Sequence, residues 1–93
     1  MSHINIYRTH ELSQDRARRA AEAVAAHLNE RFELHYRWEG DALYFERSGV
    51  SGRMEVGERD VRIMARLGFL LLPLKSLFEN EIHRYLDELF EQT

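Results

Sequence analysis

Hydrophobic positions change their period several times along this chain, and each change predicts an element. Ile4 and Ile6 alternate with Asn5 and Tyr7, with Arg8 next on the Ile side, which predicts a short first strand. From Gln14 to about Glu30 the spacing becomes helical, with Ala17, Ala20, Ala21, Val24 and Leu28 on one stripe and Arg16, Arg18, Arg19, Glu22 and Asn29 largely off it. Ser13 stands where a side-chain oxygen can accept from a free N–H of the first turn, and Asp15 lies where the helix dipole favours a negative charge. Leu12 and Ala17 occupy the two staple positions, while Arg16 takes the place where a capping box would have Glu or Gln. The many alanines let the helix axis approach a flat surface closely, so this helix is expected to lie on a sheet.

After Phe32 the period falls to two. Leu34, Tyr36 and Trp38 point one way and His35, Arg37 and Glu39 the other; Gly40-Asp41 then turns the chain into Ala42–Arg47, which predicts a hairpin. Ser48 to Gly52 carries two glycines able to take positive φ and is expected to connect to a strand over Arg53–Val56. Gly57 to Asp60 turns again. Val61, Ile63, Ala65 and Leu67 alternate with Arg62, Met64 and Arg66, the clearest strand in the sequence. A last helix is expected to begin near Pro73, since a missing N–H is tolerated in a first turn. It carries a wide stripe of Leu74, Leu77, Phe78, Ile82, Tyr85, Leu86, Leu89 and Phe90. The order β-α-β-β-β-β-α predicts an α+β protein, a five-stranded antiparallel sheet packed against helices. A curved sheet around a long C-terminal helix would be a reduced form of the helix-grip arrangement, by analogy of fold alone.

The 93 residues suffice for one domain, residues 1–93, and one modest core. Sixteen acidic against thirteen basic residues leave a net charge of -3, opposite to what a nucleic-acid partner would demand. With no cysteine there is no disulfide framework and no thiolate ligand or nucleophile, which suits a reducing cytoplasm. Met1 to Asn5 lacks the basic and apolar regions of a secretory leader. The apolar run Leu67 to Leu74, broken by Gly68 and Pro73, is far short of the roughly 20 residues that span a bilayer, so no transmembrane segment is expected.

Candidate chemistry is sparse. His3, His10, His27, His35 and His83 form no compact ligand motif, so no metal site and no cofactor are expected. His35, Arg37 and Glu39 share one strand face with Tyr44 and Glu46 of the next strand, which reads most simply as cross-strand pairing on a solvated face. Ser48 and Ser51 lack the elbow and the orienting partners of a nucleophile. Gly49 to Gly52 precedes a strand, with no Walker lysine, where a phosphate loop would open a helix. No catalytic constellation follows, and the chain is expected not to be an enzyme.

Several stretches together resemble the small polyhydroxyalkanoic acid system proteins. They are Arg47-Ser48-Gly49-Val50-Ser51-Gly52, Val61-Arg62-Ile63 and Leu67-Gly68-Phe69-Leu70-Leu71, with Ser2-His3-Ile4, Leu12-Ser13 and Arg37-Trp38-Glu39-Gly40. The resemblance covers almost the whole chain, although Met54, Pro73 and Phe78 depart from the family pattern. It implies a cellular setting, the granules of storage polyester, more firmly than it implies a molecular activity.

The sequence feature that bears most on function is an apolar surplus near the C-terminus. Phe69, Leu70, Leu71, Leu72, Leu74 and Phe78 exceed what one small sheet is expected to cover, and so form the candidate interaction surface. The partners it suits are a second copy, giving a homodimer, or a polyhydroxyalkanoate granule surface or its proteins. The alternative is a small ligand-binding or cyclase-like protein with an apolar site between sheet and C-terminal helix, using His35, Tyr36, Trp38 and Tyr44.

Overall fold

In a computed structural model, which describes residues 2–90 and so leaves Met1 of the leader reading outside, the alternating and helical segments become a single β-α-β-β-β-β-α chain. The strands are β1 (Ser2–Thr9), β2 (His35–Glu39), β3 (Ala42–Arg47), β4 (Val50–Val56) and β5 (Asp60–Leu67); the helices are α1 (Gln14–Phe32) and α2 (Lys75–Phe90). A 3-10 segment, Phe69–Leu74, leads into α2. All strand pairs are antiparallel and the sheet order is β1-β5-β4-β3-β2. The α1 crossover carries the chain from one edge of the sheet to the other, and three hairpins bring it back beside β1.

Alternation decides the faces. Ile6, Ile63, Met54 and Leu43 stand opposite one another across four strands and are all 5% exposed or less. Burial of such a row is the main source of the stability of a sheet. Helix α1 starts as expected: the Ser13 hydroxyl accepts from the Arg16 N–H at 3.2 Å. It runs to Phe32 and ends on Glu33 at φ 59°, whose N–H bonds to the Asn29 carbonyl at 2.9 Å. The Asn29 amide then donates to the Leu34 carbonyl at 2.7 Å, setting the chain on course into β2. Ala17, Ala21 and Ala25 are buried on the sheet-facing side of α1, together with Val24 and Leu28.

Helix α2 buries Phe78, Ile82, Tyr85, Leu86 and Phe90. It meets α1 through a His27–Tyr85 ring stack at 4.4 Å and an Arg31–Glu81 ion pair at 3.0 Å. At the other flank Arg8 of β1 reaches Asp87 at 2.7 Å and His83 at 3.0 Å. Both helices lie on one face of the sheet. The opposite face carries His3, Asn5, Tyr7, Arg62, Arg66, Arg53 and Glu55 in the open.

Two boundaries differ from the sequence pattern. Strand β4 begins at Val50, not Arg53, because the β3–β4 connection contracts to Ser48-Gly49, with Gly49 at φ 87° supplying the tight turn. Gly52 lies inside β4, where its missing side chain makes room for a ring: a Cβ there would stand 2.7 Å from Phe45 Cζ and 2.5 Å from the Met64 carbonyl. The second difference is at α2. Pro73 has no N–H to offer the preceding turn, so the chain tightens into the 3-10 segment and regular α-helix begins at Lys75.

Candidate functional site

The 3-10 segment is anchored, and its anchoring turns apolar side chains outward. The Gly68 N–H bonds to the Gly49 carbonyl at 2.7 Å, and the Leu71 N–H to the Gly68 carbonyl at 3.0 Å. Leu71 packs over Gly49, where an added Cβ would come within 2.8 Å of its Cδ1. With Leu71 turned in, Phe69 and Leu70 project into solvent, 76% and 85% exposed. Leu74 and Leu77, each 43% exposed, continue the same stripe along the start of α2 at helical spacing from Leu70. The result is an apolar ledge beside the β3–β4 turn at one end of the sheet, a feature small proteins seldom leave exposed without a use.

Of the six residues expected to form the contact surface, Phe69, Leu70 and Leu74 are exposed, and Leu71 and Leu72 are half-buried. Phe78 is a correction. It is 2% exposed and sits in the core, edge-on to Phe32 at 5.1 Å and tilted against Phe45 at 6.5 Å. The sheet approaches α2 from the side of Phe78, which leaves its neighbour Leu77 facing out. Leu77 lies on the apolar stripe of the last helix but is not among the six; the seven-residue step from Leu70 through Leu74 to Leu77 is the signal that joins it to the exposed set.

The residues of the alternative ligand site do not converge. Tyr36 stands opposite Phe45 and Trp38 opposite Leu43, on the helix-covered face. His35 and Tyr44 belong to the opposite face, where Tyr44 pairs with Arg37 and His35 with Glu46. Trp38 is tied down at the sheet edge: its indole N–H donates to Glu22 at 2.7 Å and the Arg18 guanidinium lies over its ring at 4.1 Å. Between the sheet and the two helices, Leu28, Leu43, Met54, Ile63, Ile82 and Leu86 are fully buried.

The uncovered sheet face holds a shallow depression of about 560 Å³ lined by His3, Asn5, Arg37, Tyr44, Arg53 and Arg66, among others. Its charges are largely paired in place: Arg37 with Glu39 at 2.8 Å and Arg53 with Glu55 at 3.0 Å. Tyr7 donates to Asp60 at 3.0 Å, and that hydrogen bond, with the carboxylate charge, raises its phenol above the ordinary range. Between the helices, burial raises the Tyr85 phenol and the neighbouring Glu81 carboxylate adds to the effect. Glu81 itself is 7% exposed, and its Oε2 has no hydrogen-bond partner. Among the described residues no three of His, Asp and Glu are placed to hold a metal ion. No helix among them is long and apolar enough to cross a membrane.

Fold and site together define a small two-layer α+β domain that displays apolar side chains at one end. The chain belongs to the family described as "Putative polyhydroxyalkanoic acid system protein", whose model matches residues 4–90. Its fold is also that of a solved structure, the NMR structure of PA4090 from Pseudomonas aeruginosa, with a TM-score of 0.66 over 100% of this chain and 88% of that one. At 6% identity that likeness concerns the fold alone. None of the curated proteins compared with the chain matches it.

Proposed function

We propose that this protein is a non-enzymatic accessory factor of polyhydroxyalkanoate metabolism that settles on the storage granule through its apolar ledge. The observation that carries this reading is the exposure of Phe69 and Leu70, 76% and 85%, beside half-exposed Leu74 and Leu77. A protein of this size gains nothing in stability from holding such side chains in water. Moving Phe69 and Leu70 into an apolar phase is worth about 1.5–3 kcal/mol each, enough to hold a small domain reversibly at a hydrophobic surface. Family membership supplies the setting, in which a hydrophobic polyester is the abundant apolar phase. A protein of the granule coat is the other occupant such a ledge would accept.

The test is co-sedimentation with isolated granules and with protein-free polyester particles. Leu70→Asp, at a site where the side chain touches little of its own fold, is expected to keep the wild-type melting curve and lose binding to both by at least roughly a hundredfold. Binding retained by Leu70→Asp and Phe69→Asp would overturn the reading. Binding to granules but not to bare polyester would assign the ledge to a coat protein.

A further inference from the structure

The two edges of the sheet are treated differently, and the difference follows from hydrogen-bond parity. The Gly57 N–H bonds to Asp60 and the Gly68 N–H to Gly49, so the even-numbered residues of β5 face β4. The odd-numbered residues of β5 therefore face β1, and their partners there are the even ones, Ile4, Ile6 and Arg8; the bond from the His10 N–H to the Arg59 carbonyl at 2.9 Å continues this series. It follows that His3, Asn5, Tyr7 and Thr9 turn both N–H and C=O outward along the free edge of β1. Among the described residues no side chain bonds to these groups.

The opposite edge, β2, is guarded. It is five residues long against eight, and the carbonyls flanking it are occupied, Leu34 by the Asn29 amide and Gly40 by the Arg18 guanidinium at 2.8 Å. Arg18 also roofs Trp38 there. Edge β1 has none of the usual protections: no proline, no lysine, no bulge in its eight consecutive pairs with β5. Its one arginine, Arg8, is drawn onto the helix side by Asp87 and His83.

We infer that β1 is the pairing edge for a second copy of this chain, joined antiparallel about a twofold axis at Asn5 into one ten-stranded sheet. Among the registers that match outward groups to outward groups, this one places Ile4 against Ile6 of the second copy, so that the buried row Ile6–Ile63–Met54–Leu43 continues without a break from one core into the other. It sets His3 against Tyr7 of the second copy on the open face and puts no like charges opposite each other. The register shifted by two residues, centred on Ile6, would set Ile4 against Arg8. Self-complementarity of this kind favours a second copy over an unrelated peptide.

The experiment measures molar mass by sedimentation across a wide concentration range, together with amide exchange at His3, Asn5 and Tyr7. The wild type is expected to form a dimer, with these three amides protected more strongly as concentration rises. Asn5→Pro removes an N–H that bonds to no other group among the described residues, and at the axis it deletes two intermolecular bonds, weakening association roughly ten- to a hundredfold while the monomer stays folded. Asn5→Lys, which places a charge at the axis, does the same and decides the matter if the proline variant unfolds. A wild type that is monomeric at every concentration overturns the inference. So does a dimer that survives both substitutions, or one that Leu70→Asp dissolves.

Discussion

At the scale of single residues, Gly52 is closely hemmed in. Its two neighbours across the sheet, the Phe45 ring and the Met64 carbonyl, would lie 2.7 and 2.5 Å from a Cβ, and the second is backbone that cannot swing aside. Gly52→Ala is therefore expected to cost about 1–3 kcal/mol despite the higher strand propensity of alanine, read as a lower urea midpoint with unchanged slope. The sequence shows two glycines in one short segment and invites assigning both to the turn. Only Gly49 serves there; the part played by Gly52 depends on which residue the β3–β4 register sets opposite it, and that register rests on the turn length. Phe78 and Leu77 pose a similar problem. Adjacent helical residues differ by about 100° in direction, and the side from which the sheet approaches is a tertiary fact that periodicity does not contain.

At the scale of elements, the pattern was far more legible. Period-two alternation over Val61–Leu67 and the Ser13 start of α1 are local physics, and both appear where the chain chemistry puts them. Alternation also separates His35 from Tyr36, so the opposite faces of the alternative ligand residues were already implicit in β2. What local pattern could not supply is the contact of α1 with α2, where Glu81, Arg31, His27 and Tyr85 meet. Ser13→Ala is expected to lower stability by about 1 kcal/mol, through loss of the bond to the Arg16 N–H, in chemical denaturation. The helix contact predicts a pH effect. A phenol whose value is raised in the folded state keeps its proton longer folded than unfolded, so its contribution is complete below about pH 10, the ordinary tyrosine value, and is lost as pH rises beyond it. Thermal melts of Tyr85→Phe should show a shallower decline above pH 10 than those of the wild type.

At the scale of the whole molecule, one layer of helices on one face of a sheet leaves little redundancy. Leu86 is fully buried, and Leu86→Ala is expected to cost about 2–5 kcal/mol of a total of about 5–15 kcal/mol, visible as a large drop in melting temperature. The apolar surplus near the C-terminus was legible as a count, because composition records how much must be hidden, whereas the identity of the exposed members depended on how the 3-10 segment is pinned. That pinning has a consequence for encounters. The stretch bearing Phe69 and Leu70 is fastened to Gly49 on one side and runs directly into α2 on the other. In the proposed landing on an oily phase, such a ledge would freeze a few rotamers and no backbone, so capture would be set by collision and orientation, with no disorder-to-order step to slow it.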